Sequence, residues 1–127
     1  MLKRVHHIAI ICSNYQKSKS FYIDTLGFTA LREVYRDDRK SYKLDLALNG
    51  VYLIELFSFE NVPARPSYPE ATGLRHLAFE VEDLDEVVQI LKNKMVIAER
   101  IRTDEFTNKR FTFIADPDNL PIELYEK

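Results

Sequence analysis

The stretch that decides the fold is VHHIAI, residues 5–10, because the chain repeats it as LRHLAF at residues 74–79. The two runs align on a histidine, and His7 and His76 are 69 positions apart (76 − 7). A repeat of this length is sought before anything else, since it fixes the architecture of the whole chain. The alignment predicts two copies of one structural module.

A second pair of runs repeats at nearly the same offset. VYLIEL at residues 51–56 returns as LPIEL at residues 120–124, and Glu55 and Glu123 are 68 positions apart (123 − 55). Each half of the chain therefore has one histidine early and one glutamate late, each within an apolar run. Two imidazoles and two carboxylates are a plausible ligand set for one divalent metal ion.

Composition narrows the classes of protein to consider. The chain has 127 residues, 46% hydrophobic and 30% charged, which fits one soluble domain with a hydrophobic core. Its net charge is −2 and its Lys and Arg residues are scattered, so we expect no nucleic-acid partner. No apolar run approaches the length of a membrane span and no signal peptide is evident. The single cysteine, Cys12, excludes an internal disulfide and is interpreted as a small apolar side chain, so we expect a cytoplasmic protein.

The first half reads as a βαβββ module. Residues 5–12 predict a buried strand, and Ser13 or Asn14 predicts the cap of a helix that runs to about Leu26 and ends at Gly27. Asn49-Gly50 is a strong hairpin signal. The remaining predictions are strands at 28–33, 41–48 and 51–59, with a charged turn at 36–39.

The second half repeats this plan after a proline-rich segment, residues 60–73. Asp83, with Glu86 three residues later, predicts the start of a helix over 84–94. Asn119 in the turn 116–119 tolerates a left-handed backbone. Strands are predicted at 74–81, 96–102, 109–115 and 121–125. The chain, 1–127, is thus predicted to be α+β, one domain of two pseudo-symmetric modules, 1–62 and 70–127, joined by a linker, 63–69.

The alternation of side chains along a strand determines which face of the sheet each candidate metal ligand occupies, because residues two apart in a strand share a face. If the modules pack as pseudo-symmetric partners, His7, Glu55, His76 and Glu123 converge in one cleft, where Ni, Co, Mn, Fe or Zn would suit them. The alternative is that they are ordinary core or strand-end residues, although a buried glutamate is rare unless paired or metal-bound. His6 aligns with Arg75, is expected on the opposite face, and is interpreted as structural.

The sequence resembles the vicinal oxygen chelate superfamily, also called the glyoxalase, bleomycin-resistance and dioxygenase family. The motifs that carry the resemblance are HIAI (7–10), FY…LGF (21–28), IEL (54–56), HLAF (76–79) and DPDN…IEL (116–124). The resemblance covers nearly the whole chain. It implies paired βαβββ modules that form a cupped, partly open mixed sheet with helices outside, and a small-molecule substrate that binds the metal through adjacent oxygens.

Within that superfamily, the order His, Glu, His, Glu is similar to bacterial glyoxalase I. The resemblance implies that His7, Glu55, His76 and Glu123 bind a metal, Ni or Co before Zn, Mn or Fe, in a homodimer. It also implies a lyase or isomerase in which the metal stabilises an enediolate, with Glu123 as the base, or Glu55 on the opposite face. Glyoxalase I holds glutathione with an Arg and an Asn at the positions of Ile11 and Phe59, so the thiol cosubstrate is open.

Other superfamily activities are alternatives. Ring-cleaving dioxygenases and fosfomycin-inactivating transferases use two His and one Glu, and methylmalonyl-CoA epimerases typically carry Gln at the position of Glu55. Bleomycin-sequestering proteins lack the ligands, and a binding or resistance protein without turnover is a further alternative. Cations available for an anionic substrate are Lys43, Arg65, Arg75, Arg102, Lys109 and Arg110, and aromatic residues available for a pocket wall are Phe57, Phe59, Phe111 and Phe113.

Overall fold

A computed structural model describes all 127 residues and divides them into two compact units. Unit 1 is Met1–Ala64 and unit 2 is Arg65–Lys127. Each unit contains a four-stranded mixed sheet and a helix in the order βαβββ. The α+β class and the duplicated module are therefore confirmed, and the boundary between the units falls within the proline-rich segment.

Unit 1 has the strand order β1-β4-β3-β2, with β1 parallel to β4 and the other pairs antiparallel. The helix α1 continues directly into a π-helical segment, Phe21–Thr25. The bounds of the regular elements are β1 Ile8–Cys12, α1 Tyr15–Ser20, β2 Thr29–Arg36, β3 Ser41–Leu48 and β4 Val51–Ser58.

The local signals of unit 1 act as predicted. Of the two candidate caps, Asn14 is the one used, and its side chain accepts a hydrogen bond from the Lys17 backbone N–H at 3.1 Å. Gly27 ends the helical region with a φ of +85°. Asn49 and Gly50 both have positive φ, as a tight hairpin between β3 and β4 requires. The π-helical segment was not predicted: its amide hydrogen bonds skip one residue more than in an α-helix, as in Leu26 N–H to Phe21 C=O.

The core of unit 1 lies on one face of its sheet. Leu44, Leu46, Ile54 and Leu56 are fully buried, and α1 packs against β4. Because side chains alternate along a strand, the residues between these four, including Glu55, point to the opposite face. The buried face thus determines which face remains for polar chemistry.

Unit 2 has the matching strand order β5-β8-β7-β6. The Asp83 side chain accepts from the Glu86 N–H at 2.9 Å, so the predicted helix cap is confirmed. Asn119 adopts the predicted left-handed conformation, with a φ of +64°. The bounds are β5 Leu77–Val81, α2 Leu84–Asn93, β6 Arg102–Thr103, β7 Arg110–Ala115 and β8 Pro121–Glu126. Neither helix of the protein has the length and apolar character needed to cross a membrane.

Three strand predictions are wrong in extent. The strand predicted over 96–102 is reduced to Arg102–Thr103, because the segment before it makes one backbone bond to β7, from Glu99 N–H to Phe113 C=O, and no ladder. Ile97 is largely exposed there, so no buried face enforces a register. The first strand of each half begins three residues later than predicted, at Ile8 and Leu77, so both histidines immediately precede their strands.

Candidate metal centre

Strand register places each histidine on the same face as its glutamate. In unit 1, β1 runs parallel to β4 with Ala9 paired to Glu55, and in unit 2 Ala78 is paired to Glu123 in the same way. Each histidine lies one residue before its strand and two residues before its paired alanine, and its ring reaches the carboxylate of its own unit. The histidine and glutamate that repeat in the sequence therefore have the same strand register in both units.

The distances within both pairs suit a shared metal ion. His7 Nε2 is 3.8 Å from Glu55 Oε2, and His76 Nε2 is 3.1 Å from Glu123 Oε2. A metal ion lies about 2.0–2.1 Å from an imidazole nitrogen and about 2.0–2.2 Å from a carboxylate oxygen, so one ion can join ligand atoms at most about 4.3 Å apart. Both pairs meet this limit, and the residues present fit a metal.

The predicted ligands are brought together as two pairs. The structure contains no group of three or more His, Cys, Asp or Glu side chains that can hold a metal ion. His7 with Glu55 belongs to unit 1, and His76 with Glu123 belongs to unit 2. Each unit therefore supplies half of the predicted set.

Glu55 is held by two donors besides facing His7. The Tyr52 hydroxyl donates to Glu55 at 3.0 Å, and Lys43 Nζ lies 3.3 Å from the same carboxylate. Both donors also contact Asp45. Hydrogen bonds to Asp45 and Glu55 raise the pKa of Lys43, while burial and the hydrogen bond to Glu55 raise the pKa of Tyr52. Lys43 therefore stays charged and Tyr52 stays a donor at neutral pH.

His6 does not lie on the opposite face as expected. Its Nδ1 is 2.8 Å from His7 Nδ1, and its ring packs edge-on against Tyr52. The expectation is wrong because residues 5–7 precede β1 and are not bound by strand alternation. The contact engages Nδ1 of His7 and leaves its Nε2 facing Glu55, and the His7 ring stacks on Tyr52 at a centroid distance of 5.3 Å. His6 and Tyr52 thus orient His7.

Glu123 has different surroundings. The residue paired with it on β7 is Phe113, where unit 1 has Asp45 paired with Glu55. At the repeat offset of 68, Lys43 is replaced by Phe111 and Tyr52 by Leu120. Phe113 packs edge-on against His76 at 5.1 Å, and His76 Nδ1 is buried without a hydrogen-bond partner. Polar groups surround the first carboxylate and apolar groups surround the second.

Most of the candidate substrate cations are already paired with carboxylates. Arg75 lies 3.5 Å from Glu70, Arg102 lies 3.5 Å from Glu99, and Lys43 is engaged as described above. Arg110 binds both Asp85 and Glu126. Among the arginines of this set, Arg65 alone makes its side-chain hydrogen bonds only to neutral groups.

The repeated βαβββ unit is the module that the resemblance to the vicinal oxygen chelate proteins implied. The chain belongs to the Glyoxalase/Bleomycin resistance protein/Dioxygenase superfamily, whose family model matches residues 4–124. It is 61% identical to the uncharacterized protein YwkD of Bacillus subtilis, over all of this chain and 99% of that protein. It is 62% identical to the uncharacterized protein YaeR of Escherichia coli, over 99% and 98%. A glyoxalase family protein from Enterococcus faecalis has the same fold, with a TM-score of 0.91 and 52% identity over 98% of each chain.

Proposed function

We propose that this protein is a metal-dependent, glyoxalase I-like lyase or isomerase that moves a proton at a carbon next to a carbonyl. The observation that carries the proposal is the repeated His–Glu pair, with 3.8 Å and 3.1 Å between ligand atoms. His7, Glu55, His76 and Glu123 would hold one divalent ion, with Ni or Co favoured over Zn, Mn or Fe. The ion would act as a Lewis acid toward two adjacent oxygens of the substrate.

The two carboxylates have separate roles in this proposal. Glu123 removes the proton from the substrate carbon and returns it to the neighbouring carbon. Glu55 stays in place, because Tyr52 and Lys43 both hold it. Glu123 has only His76 as a close polar neighbour among the described contacts, so its side chain is the freer of the two to move toward substrate.

A complete ligand set needs a pair from each unit, contributed by one chain or by two copies of it. We propose a homodimer as the working assembly. Light scattering at micromolar concentration should give the mass of two chains, and a monomer alone at that concentration would contradict the assembly.

Metal binding tests the ligand assignment directly. Purified protein, stripped with a chelator and titrated with Ni²⁺ or Co²⁺, should bind about one ion per set of four ligands. The double variant His7→Ala/His76→Ala should bind none, whereas His6→Ala should keep full stoichiometry at reduced affinity, because His6 only orients His7. Full occupancy in the double variant would show that the ligands are wrong.

The substrate is sought with the metal-loaded protein. Thiohemiacetals of 2-oxoaldehydes with several thiols, and 2-oxoacyl and CoA compounds, are screened for exchange of the α-hydrogen with solvent. Ile11 and Phe59 stand where glyoxalase I has its glutathione-binding Arg and Asn, so we expect thiols other than glutathione to serve better. A protein that binds metal weakly and exchanges no α-hydrogen would instead be a binding or resistance protein of this family.

A further inference from the structure

Unit 2 contains a cavity of about 400 Å³, within the size range of small-molecule sites. Its apolar walls include Ile97, Phe113 and Pro121, and its polar groups include Arg65, Tyr68 and Glu99. Phe113, one of the four aromatic residues available for a pocket wall, lines this cavity.

The cavity adjoins the His76–Glu123 pair. Pro121 precedes Glu123 by two residues on β8, so the two side chains share a face about 6.6 Å apart along the strand. Phe113 is paired with Glu123 across the sheet and contacts the ring of His76. A molecule in the cavity therefore lies next to residues that neighbour both candidate metal ligands of unit 2.

Arg65 is fixed in position at the cavity wall. Its Nε donates to Ser67 Oγ at 2.7 Å, and its Nη2 donates to the carbonyls of Leu74 and Arg75 at 3.0 and 3.3 Å. Ser67 in turn donates to the Asn119 carbonyl at 2.8 Å. These bonds leave the two N–H groups of Nη1 without a partner in the chain. A guanidinium held this way is pre-organised to donate to an incoming anion.

The charges at the cavity indicate a single negative charge on the ligand. Arg65 is its only lining cation, and Glu99 is its only lining carboxylate. Glu99 is more than half exposed and only weakly paired, 3.5 Å from Arg102. The single positive charge of Arg65 balances a monoanionic carboxylate. A dianionic phosphate would keep one negative charge unbalanced, and Glu99 would repel it more strongly.

We propose that this cavity binds the carboxylate end of a small substrate. The carboxylate accepts hydrogen bonds from Arg65 Nη1, and a short apolar body lies against Ile97, Phe113 and Pro121. This assignment of substrate class rests on the proposed function, because it directs the reacting end, with its adjacent oxygens, toward His76 and Glu123.

The test uses metal-free protein and two probes of the same shape, hexanoate and hexanamide, titrated by NMR of the backbone amides. Hexanoate should shift the amides of 97–99 and 113–115 and bind at least about tenfold tighter than hexanamide, since hydrogen bonds to a charged group are the stronger. Arg65→Gln should remove this preference, and Arg39→Gln, a change of an exposed turn arginine, should not.

A second variant separates ligand binding from the structural bonds of Arg65. Ala115→Leu fills the cavity from an exposed position and leaves Arg65 and its partners unchanged, so it should weaken binding of both probes at least about tenfold. Equal binding of the two probes by the wild type, or unchanged binding by Ala115→Leu, would overturn the proposal. Tighter binding of butyl phosphate than of hexanoate would overturn the choice of a carboxylate.

The two proposals fail separately. A wild-type protein that shows no preference for hexanoate over hexanamide but binds Ni²⁺ with normal stoichiometry would reject the cavity proposal and leave the metal site standing. Normal hexanoate binding in a protein that takes up no metal would reject the reaction, and with it the substrate orientation, while the cavity would remain a carboxylate site.

Discussion

Lys43 Nζ lies 3.3 Å from Glu55 Oε2, and the repeat places Phe111 at the corresponding position of unit 2. The duplication has therefore kept both carboxylates but not their surroundings. Glu55 is restrained by a cation and a phenol, and Glu123 lies beside Phe113 and His76. Two residues that are equivalent by sequence are thus expected to differ in role.

Substitution of the two carboxylates should separate the base from the fixed ligand. Glu123→Gln keeps an oxygen ligand but loses the basic group, so metal binding should persist while α-hydrogen exchange slows at least about 100-fold. Exchange is followed by NMR in D₂O with a substrate found in the screen. Near wild-type exchange by Glu123→Gln together with its loss in Glu55→Gln would make Glu55 the base, and no loss in either would reject the proton transfer.

Tyr52→Phe should weaken metal binding without removing a ligand. The change deletes the hydroxyl that donates to Glu55 and keeps the ring stacked on His7. Groups that orient metal ligands typically affect affinity about 10- to 100-fold, and we expect an effect in that range by calorimetry with Ni²⁺. Tyr35→Phe, at an exposed tyrosine of β2, is the matched control and should leave the affinity unchanged. An unchanged affinity in Tyr52→Phe would mean that the hydroxyl does not position Glu55.

Stability should fall in acid because of Glu126. Arg110 donates to its carboxylate at 2.8 and 2.7 Å, and the Leu84 N–H at the start of α2 donates to it at 3.3 Å. These bonds lower the pKa of Glu126 from 4.5 to about 2. Because the folded-state pKa is the lower one, the stabilisation is fully present above the unfolded value near 4.5 and is lost as the pH falls through about 2.

Urea unfolding at a series of pH values measures this contribution. The stability difference between the wild type and Glu126→Gln should be constant above about pH 5 and should shrink between pH 4.5 and 2. Glu105→Gln, at an exposed carboxylate, controls for the change in net charge. A difference that stays constant down to pH 2 would show that Glu126 is not the titrating group.

The two helix caps should contribute equally to their units. Asn14 accepts from Lys17 N–H and Asp83 accepts from Glu86 N–H, at 3.1 and 2.9 Å. Asn14→Ala and Asp83→Ala should each lower the free energy of unfolding by about 1 kcal/mol. Gln16→Ala, at an exposed site of α1, is the control and should change the free energy of unfolding little. A loss of stability in Gln16→Ala as large as in the two cap variants would show that the cap hydrogen bonds are not the cause.

The sequence by itself determined the duplicated module, both helix starts to within one residue, the hairpin at Asn49-Gly50 and the presence of one early histidine and one late glutamate in each half. These features depend on hydrogen bonds between near neighbours and on the alternation of side chains along strands, which short patterns encode. The spacing did not pair the four residues, and it is the parallel strands of each unit that bring His7 beside Glu55 and His76 beside Glu123.

Only the tertiary structure decided which groups surround those pairs. Lys43 reaches Glu55 because β3 lies beside β4, and Arg65 is fixed by carbonyls nine and ten residues away in the chain and, through Ser67, by that of Asn119. The segment 96–101 stays outside the sheet although its composition favours a strand, because it makes one backbone hydrogen bond to β7 and has no buried face. Such contacts join residues that are distant in sequence, so they depend on how whole elements pack and leave no local pattern to read.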